Sequence, residues 1–327
     1  MHAIQALQAG GPDVLELVEV PDPTPGPGEV VVNAVAAGVN FIDTYRRGGM
    51  YPMPFPHIPG SEGAGTVTAV GEGVTSLAVG DTVAWADSPG SYAEFVRTTA
   101  ARALKVPAGV DLDVAAAIPL QGLTAHYLAT STYPVQAGDT ILVHAGAGGV
   151  GLLLTQLATA RGARVITTVS SDEKEQLSRA AGAAEVIRYD LLKDLPVELP
   201  ALVREVAGGG LPVVYDGVGR STFDASLACL RPRGLMVLFG ASSGAVPPFD
   251  LQRLNASGSL YVTRPSLGHY IATTEELQSR ADGLFTAILD HSLDVRIGNR
   301  FPLAEARAAH EALEGRATTG KVILQVR

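Results

Sequence analysis

The hydrophobic pattern changes character near residue 120. Before it, short β-branched runs at 29–34, 65–70, 82–86 and 91–96 are separated by Gly and Pro turns. Short strands closed by turn residues at that spacing predict a compact, mostly β unit, a partly open barrel. From about Gln121 apolar runs alternate with amphipathic stretches, which predicts a parallel, doubly wound sheet. Strands are expected at 141–144, 164–168, 185–187, 213–216, 235–239 and 259–262, with helices between them including 200–207 and 221–230. A long helix over 275–291 follows, and 295–327 returns to β character, ending in KVILQV, a strand able to rejoin the first unit. The expected division is 1–123 with 293–327 as one domain and 124–292 as the other. No internal repeat or low-complexity linker interrupts it.

The sharpest local pattern lies at 140–158, TILVHAGAGGVGLLLTQLA. An apolar strand runs directly into Gly146-x-Gly148-x-x-Gly151, and an amphipathic run follows at once. Gripping a pyrophosphate requires that order. The first glycine allows the tight turn, the second lets backbone approach the phosphates, and the third permits close helix–strand packing. The phosphates then lie over a helix N-terminus, whose free N–H groups and dipole favour negative charge. Glycines alone would equally fit a structural turn; the flanking strand and helix favour a dinucleotide site.

Which dinucleotide binds depends on the end of the next strand, RVITTV at 164–169. Ser170 stands about where an acid would take the ribose 2′-hydroxyl. The chain instead offers Ser170, Ser171, Asp172, Glu173 and Lys174. Small hydroxyls beside a cation suit a 2′-phosphate, so NADPH is expected over NADH. Arg188 and Tyr189, closing the following strand, would add a second cation and a phenol. Residues 170–172 also read as the cap of a helix over 173–181, and both readings are compatible.

Composition narrows the class. A chain of 327 residues suggests about two domains. Lys and Arg number 24 against 33 Asp and Glu, for a net charge of −9. A nucleic-acid partner, which needs clustered positive charge, is not expected. The lone cysteine, Cys229, excludes an internal disulfide framework and reads as a small core hydrophobe in a reducing compartment. No signal-peptide pattern opens the chain and no apolar run is long enough for a membrane span. A soluble, cytoplasmic protein is expected.

Several ordered segments now resemble one family over the whole length. PGPGEVVVNAVAAGVNFIDTY, GSEGAGTVTAVGEGVTSLAVGDTVAW and HAGAGGVG are similar to the medium-chain dehydrogenase/reductase superfamily. Asn40-Phe41-Ile42-Asp43-Thr44-Tyr45, Val214-Tyr215-Asp216-x-Val218-Gly219, SLYVTRPSL from Ser259 and GRATTGK from Gly315 resemble its zinc-independent NADPH:quinone oxidoreductase branch, the zeta-crystallin type. The resemblance implies an α/β fold: a Rossmann-type doubly wound parallel sheet plus a mostly β GroES-like catalytic domain.

Zinc members of that superfamily hold a catalytic metal through a thiolate and an imidazole. By the resemblance, the cysteine would fall at Asn40 or its neighbours and the histidine at Ser61, in Gly60-Ser61-Glu62. Neither ligand is present. Catalytic zinc takes three protein ligands and structural zinc four. Cys229 cannot build a four-thiolate site, and His2, His57, His126, His144, His269, His291 and His310 lie scattered without ligand spacing. Glu62 reads as a buried pairing group. The expected metal set is therefore none.

A metal-free reductase must still manage negative charge developing on its acceptor. The resemblance implies Asn40 and Tyr45 as the catalytic pair, Asn40 through its amide and Tyr45 through its phenol or as a wall of the pocket. Asp43 reads as a cap of the loop. For the cofactor the resemblance implies Phe41 and Thr124, then Gly146, Gly148, Gly149, Val150 and Gly151 at the pyrophosphate. Ser170, Lys174 and Tyr189 would surround the adenosine ribose and its phosphate, reached also by Arg316. Phe239, Gly240 and Ser242 would flank the nicotinamide ribose, with Pro265, Ser266 and Leu267 on the nicotinamide side. Gln121 stands where some members carry lysine, so a lysine contact there is in doubt.

The expected function is metal-free reduction of a quinone by NADPH. A hydroquinone is a stabilised product whose protons can come from water, which suits a site with no evident catalytic acid. Two alternatives remain: an NADPH-dependent alkene reductase of the same fold, acting on enals, activated enones or enoyl thioesters, and a non-catalytic NADPH-binding protein. Residues 259–262 read as an edge strand, and exposed edges invite pairing across a two-fold axis, so a homodimer is expected.

Overall fold

Glu29–Val39 organises the first unit of the fold. Along one edge it pairs antiparallel with Glu62–Val70, and bulges in that pairing bend both strands. Its other edge is shared: Phe95–Thr99 pairs with the first half and Lys321–Gln325 with the last, both antiparallel. Thr82–Trp85, Leu104–Lys105 and Ile297–Pro302 complete a seven-stranded sheet. Ile297–Pro302 runs parallel to Lys321–Gln325, which demands a crossover. The helix Ala306–Glu314 supplies it, burying Ala306, Ala309, His310 and Leu313 at helical spacing.

The computed structural model describes residues 1–326. Its chain divides into two compact units, Met1–Leu123 with Tyr270–Arg327, and Thr124–His269. Residues 270–292, expected with the second unit, group with the first. The cause is local: Arg102 donates to Ile271 O at 2.5 Å, and Gln278, on the helix Thr274–Leu289, donates to Ala103 O at 3.2 Å.

The strand expected at 91–96 lies instead at Phe95–Thr99. Ser91 and Tyr92 are turned into the interior. Trp85 Nε1 donates to Ser91 Oγ at 2.9 Å, and Tyr92 N–H bonds Pro59 O at 3.0 Å. Tyr92 packs so closely on Gly60, whose φ is +89°, that a Cβ there would lie 2.9 Å from the Tyr92 nitrogen.

The second unit is a six-stranded, all-parallel sheet. Its order is Glu185–Arg188, Arg164–Val169, Thr140–Val143, Leu211–Asp216, Leu230–Leu238 and Tyr261–Thr263. The central strands are largely apolar because both faces are covered. The chain moves outward from Thr140–Val143 in one direction and then returns to its other side. Such a reversal opens a crevice beyond the carboxyl ends of the two strands, where ligands bind in doubly wound sheets.

Two elements begin earlier than expected. The helix expected from 200 starts at Leu195, because Pro196 fits its first turn and the Glu198 carboxylate takes the N–H groups of Lys193 and Asp194. Gly208, at φ +72°, ends it. The fifth strand begins at Leu230 and passes a register shift before its regular pairing from Leu235. No helix among the described residues is long and apolar enough to cross a membrane.

Candidate active site

Strand register brings the first cluster together. Val322 pairs with Val39, so the antiparallel ladder sets Lys321 opposite Asn40, while Glu62 pairs with Gly38 from the other side. The side chains of Glu62 and Lys321 then meet over Gly38. A Cβ on Gly38 would lie 2.8 Å from both Glu62 Cδ and Lys321 Cε, so glycine is required there. The pair is closed to solvent, with Lys321 2% and Glu62 0% exposed. Lys321 Nζ bonds Glu62 Oε2 directly, and burial pushes its ammonium below the usual range.

Asn40 lies between these two charges. Its Oδ1 accepts from Lys321 Nζ at 2.8 Å and from Gln121 Nε2 at 3.2 Å. Its Nδ2 donates to Glu62 Oε2 at 2.7 Å and more distantly to Gly38 O. The cation on the carbonyl side and the anion on the amide side fix the orientation of the carboxamide. Both Asn40 N–H groups therefore point to protein acceptors. Gln121, its own amide fixed by Asn40, is left with a buried Oε1 that has no partner among the described residues. Glu62 completes its set by accepting the Leu120 N–H at 2.7 Å.

Asn40 opens the helix Phe41–Arg47, and Asp43 closes the first turn by accepting the Asn40 N–H at 2.9 Å. Desolvation raises the Asp43 carboxyl to about 6. It also accepts from Ser61 Oγ and Tyr92 OH, both at 3.2 Å. Behind it, Tyr92 OH meets His310 Nε2 at 3.1 Å and Arg47 donates to His310 Nδ1 at 2.8 Å. Since Arg47 can only donate, the imidazole carries its proton on Nε2. Burial depresses His310 to about 3, first by desolvation and then by the Arg47 charge. Tyr45 lies on the same helix, its ring 6.1 Å from those of Phe41 and Tyr51.

In the second unit, Thr140–Val143 ends at His144 and the glycine turn. A Cβ on Gly151 would lie 3.0 Å from the Ala145 carbonyl carbon, and one on Gly146 would meet the Thr167 side chain at 2.5 Å. Neither neighbour is free to move, so the turn accepts only glycine at both positions. The helix Gly149–Ala160 starts with Gly148 as its cap and no side-chain partner for its first N–H groups. Val150 lies in that first turn. His144 underpins the turn: its ring nitrogens bond Thr168 Oγ1 and Ser226 Oγ, each at 2.9 Å, and burial holds it below the ordinary imidazole range. Asp216, at the end of the adjacent strand, accepts from Val218 N, Gly219 N, Thr222 Oγ1 and Ser226 Oγ.

The remaining positions of this unit follow strand ends. Ser170 follows Arg164–Val169, Ser171 caps the next helix through Lys174 N at 3.3 Å, and Tyr189 follows Glu185–Arg188. Arg188 does not stand open as a second cation. Its guanidinium binds Asp190 and Asp172. Phe239, Gly240 and Ser242 follow the end of the fifth strand, where Ser242 N–H bonds Gly217 O at 3.2 Å and a Cβ on Gly240 would lie 2.8 Å from Gly217 Cα. Pro265, Ser266 and Leu267 follow Tyr261–Thr263. Thr124 is buried on the helix Pro119–Tyr127. In the first unit Arg316 lies beyond the crossover helix, at φ +57°. The structure thus gathers the glycine turn and the strand-end residues at one end of the parallel sheet, and Asn40, Phe41 and Tyr45 on one helical turn.

Comparison with known proteins places this architecture. The alcohol dehydrogenase GroES-like domain family matches residues 26–108, and the zinc-binding dehydrogenase family matches 149–281. A quinone oxidoreductase of Pseudomonas aeruginosa is 48% identical over 324 residues, covering 98% of both chains. The chain belongs to the quinone oxidoreductase branch of the medium-chain dehydrogenase/reductases. Among solved structures of this branch, the Escherichia coli quinone oxidoreductase complexed with NADPH is 44% identical, with a TM-score of 0.96 and coverage of 99% of this chain and 100% of the other. A mycobacterial protein complexed with NADPH is 55% identical, with a TM-score of 0.97 and the same coverage.

The metal in one matched family's description does not fit the donors of this branch member. Both Glu62 oxygens are engaged, by Lys321, Asn40 and the Leu120 N–H, and an ammonium occupies the position beside it. No group of three His, Cys, Asp or Glu residues among the described residues has ligand geometry. Cys229 is buried in the core of the second unit, its thiol pushed up to about 12. Three residues of the first cluster escaped sequence reasoning. Lys321 and Gly38 had one signal, a charged residue and a glycine each bordering an apolar strand. Arg46, whose NH1 donates to Ser61 Oγ at 2.6 Å, had none.

Proposed function

We infer that this chain is an NADPH-dependent quinone oxidoreductase that works without a metal. The observation that carries the reading is the glycine turn at the reversal point of the parallel sheet, in a chain of a branch whose members include quinone oxidoreductases crystallised with NADPH. The turn fits a pyrophosphate: at Gly146 and Gly151 a side chain would fill the cradle, and the first N–H groups of the following helix face it unpartnered by side chains.

NADPH, when bound, supplies the hydride, and the proton that completes a hydroquinone comes from solvent. Gly146, Gly148, Gly149, Val150 and Gly151 hold the pyrophosphate. Ser170, Lys174 and Tyr189 would hold the adenosine ribose and its phosphate. Thr124, Phe239, Gly240, Ser242, Pro265, Ser266 and Leu267 would hold the nicotinamide end. Tyr45 offers its phenol to the acceptor oxygen. Asn40 acts as a positioning residue, because its own N–H groups are engaged by Glu62 and Gly38. It orients Gln121 and sets the start of the Tyr45 helix.

The test is oxidation of NADPH and NADH, followed in parallel at 340 nm with a benzoquinone and with a short enal. Turnover of the quinone with NADPH well ahead of NADH is expected. Turnover of the enal alone would replace the reading with an alkene reductase, and NADPH binding without turnover of either would leave a binding protein.

The active form is proposed to be a cytoplasmic homodimer. Support for the dimer comes from the edge strand Tyr261–Thr263, where Tyr261 is 61% and Val262 39% exposed. Light scattering on the native chain and on Tyr261→Lys tests it, the variant being expected to run at half the mass. A reducing compartment is supported by the unpaired thiol of Cys229.

A further inference from the structure

Arg46 and Arg47 adjoin in sequence and differ in everything else. Arg47 is buried and committed: it donates to Gly10 O at 3.0 Å, His310 Nδ1 at 2.8 Å and Glu314 Oε1 at 2.8 Å. Arg46 is half-buried and donates to one neutral oxygen, Ser61 Oγ, at 2.6 Å. Ser61 is itself oriented, since its hydroxyl donates a hydrogen bond to Asp43 Oδ1. Among the described residues no carboxylate lies within ion-pair distance of Arg46. A guanidinium has five N–H donors, so most of its capacity is not taken by protein carboxylates.

The surroundings specify what would complete it. Asp43 lies behind Ser61 with its oxygens engaged by Asn40, Ser61 and Tyr92, so it makes no direct hydrogen bond to the guanidinium. The charge of Arg46 is felt at His57 as well as at Asp43. The helix that carries Arg46 also carries Tyr45, in ring contact with Phe41 and Tyr51, so the same element presents aromatic surface. A net charge of −9 gives the chain a field that disfavours anions, so an anionic acceptor would need a local counter-charge of this kind.

We propose that Arg46, held in place by Ser61, binds a carboxylate carried by the planar acceptor, and so selects carboxylated quinones over neutral ones. The guanidinium fork matches a carboxylate in two parallel hydrogen bonds, which gives direction as well as charge. The choice of acceptor ring rests on the quinone reductase reading; the anion preference rests on Arg46 alone.

A matched pair of acceptors tests it: a benzoquinone carboxylate and its methyl ester, with wild type, Arg46→Met, Arg46→Gln and Arg46→Lys. The readout is the ratio of kcat/KM for acid over ester. Arg46→Met and Arg46→Gln should lower that ratio at least tenfold, mainly through KM of the acid, and Arg46→Lys should recover part of it as a point charge without the fork. A merely structural arginine, complementing the helix dipole in the last turn, would move both acceptors together. An unchanged ratio in Arg46→Met overturns the proposal. Where wild type reduces neither quinone, the function reading fails by itself, and calorimetric titration with the matching hydroquinone acid and ester decides. Tighter binding of the acid that disappears in Arg46→Met supports the anion site; equal affinities overturn it.

Discussion

Replacing Lys321 by methionine removes the cation facing Glu62 in a space closed to water, with the two side chains 2% and 0% exposed. Breaking a buried pair from one side costs about 3–5 kcal/mol, because the partner charge stays behind. Glu62 would keep the Asn40 amide and the Leu120 N–H, each at 2.7 Å, so Lys321→Met should fall near the lower end, at about 3 kcal/mol. Glu62→Gln leaves the ammonium with only neutral oxygens as hydrogen-bond partners, Asn40 Oδ1 among them, and should cost about as much unless Lys321 sheds its proton, which burial already favours. The double variant leaves no uncompensated charge. It should lie roughly 2–3 kcal/mol above the sum of the singles. The assay is equilibrium urea unfolding followed by fluorescence of Trp85, the chain's one tryptophan, buried in the same seven-stranded sheet. Additive losses, with coupling under about 0.5 kcal/mol, would refute the claim that these charges depend on each other.

Other outcomes follow from single sites. Gly151→Ala should raise the dissociation constant for NADPH by at least about tenfold, measured by fluorescence titration, because a Cβ there meets backbone of the Ala145–Gly146 turn. Lys174→Ala should raise KM for NADPH by about tenfold and leave KM for NADH nearly unmoved, reading the 2′-phosphate directly. Asp43 is raised from 3.8 to about 6, so its contribution to stability is full below 3.8 and lost as pH rises through 6. His310 is lowered from 6.5 to about 3, so its contribution is full above 6.5 and lost as pH falls toward 3. In thermal melts at pH 4.5 and 7.5, Asp43→Asn should therefore lose more against wild type at the acid pH, and His310→Gln more at the neutral pH. A gap that moves the other way in either variant would contradict that residue's assignment.

Periodicity carried most of the fold: apolar runs covered on both faces, turn glycines and helix caps are local signals, and the six parallel strands lie close to where they are expected. The glycine turn was legible for the same reason, since its strand, turn and helix are contiguous. What stayed hidden depends on partners remote in sequence. Lys321 and Glu62 lie 259 residues apart and meet only because two registers share Gly38. Arg188 looked available for a phosphate until Asp172 and Asp190 were seen to hold it. Residues 270–292 carried no sign that Arg102 and Gln278 would tie them to the first unit. Asn40 was legible as a site residue, whereas the inward direction of its amide required the charges on either side.

The return of Lys321–Gln325 to the edge of Glu29–Val39 also sets an order of events during synthesis. The unit Thr124–His269 is continuous in the chain and can close while translation proceeds. The unit that begins first must wait for its last strand, about two hundred residues later, or some 10–40 s at ~5–20 residues per second. During that interval Glu62 has no Lys321, and the strand edge at 36–39 has no partner. The ribosome-bound chain should therefore expose an unfinished, strand-binding edge that holdase chaperones recognise, and a transcript stalled before residue 321 should yield a protein folded in its middle and open at its beginning.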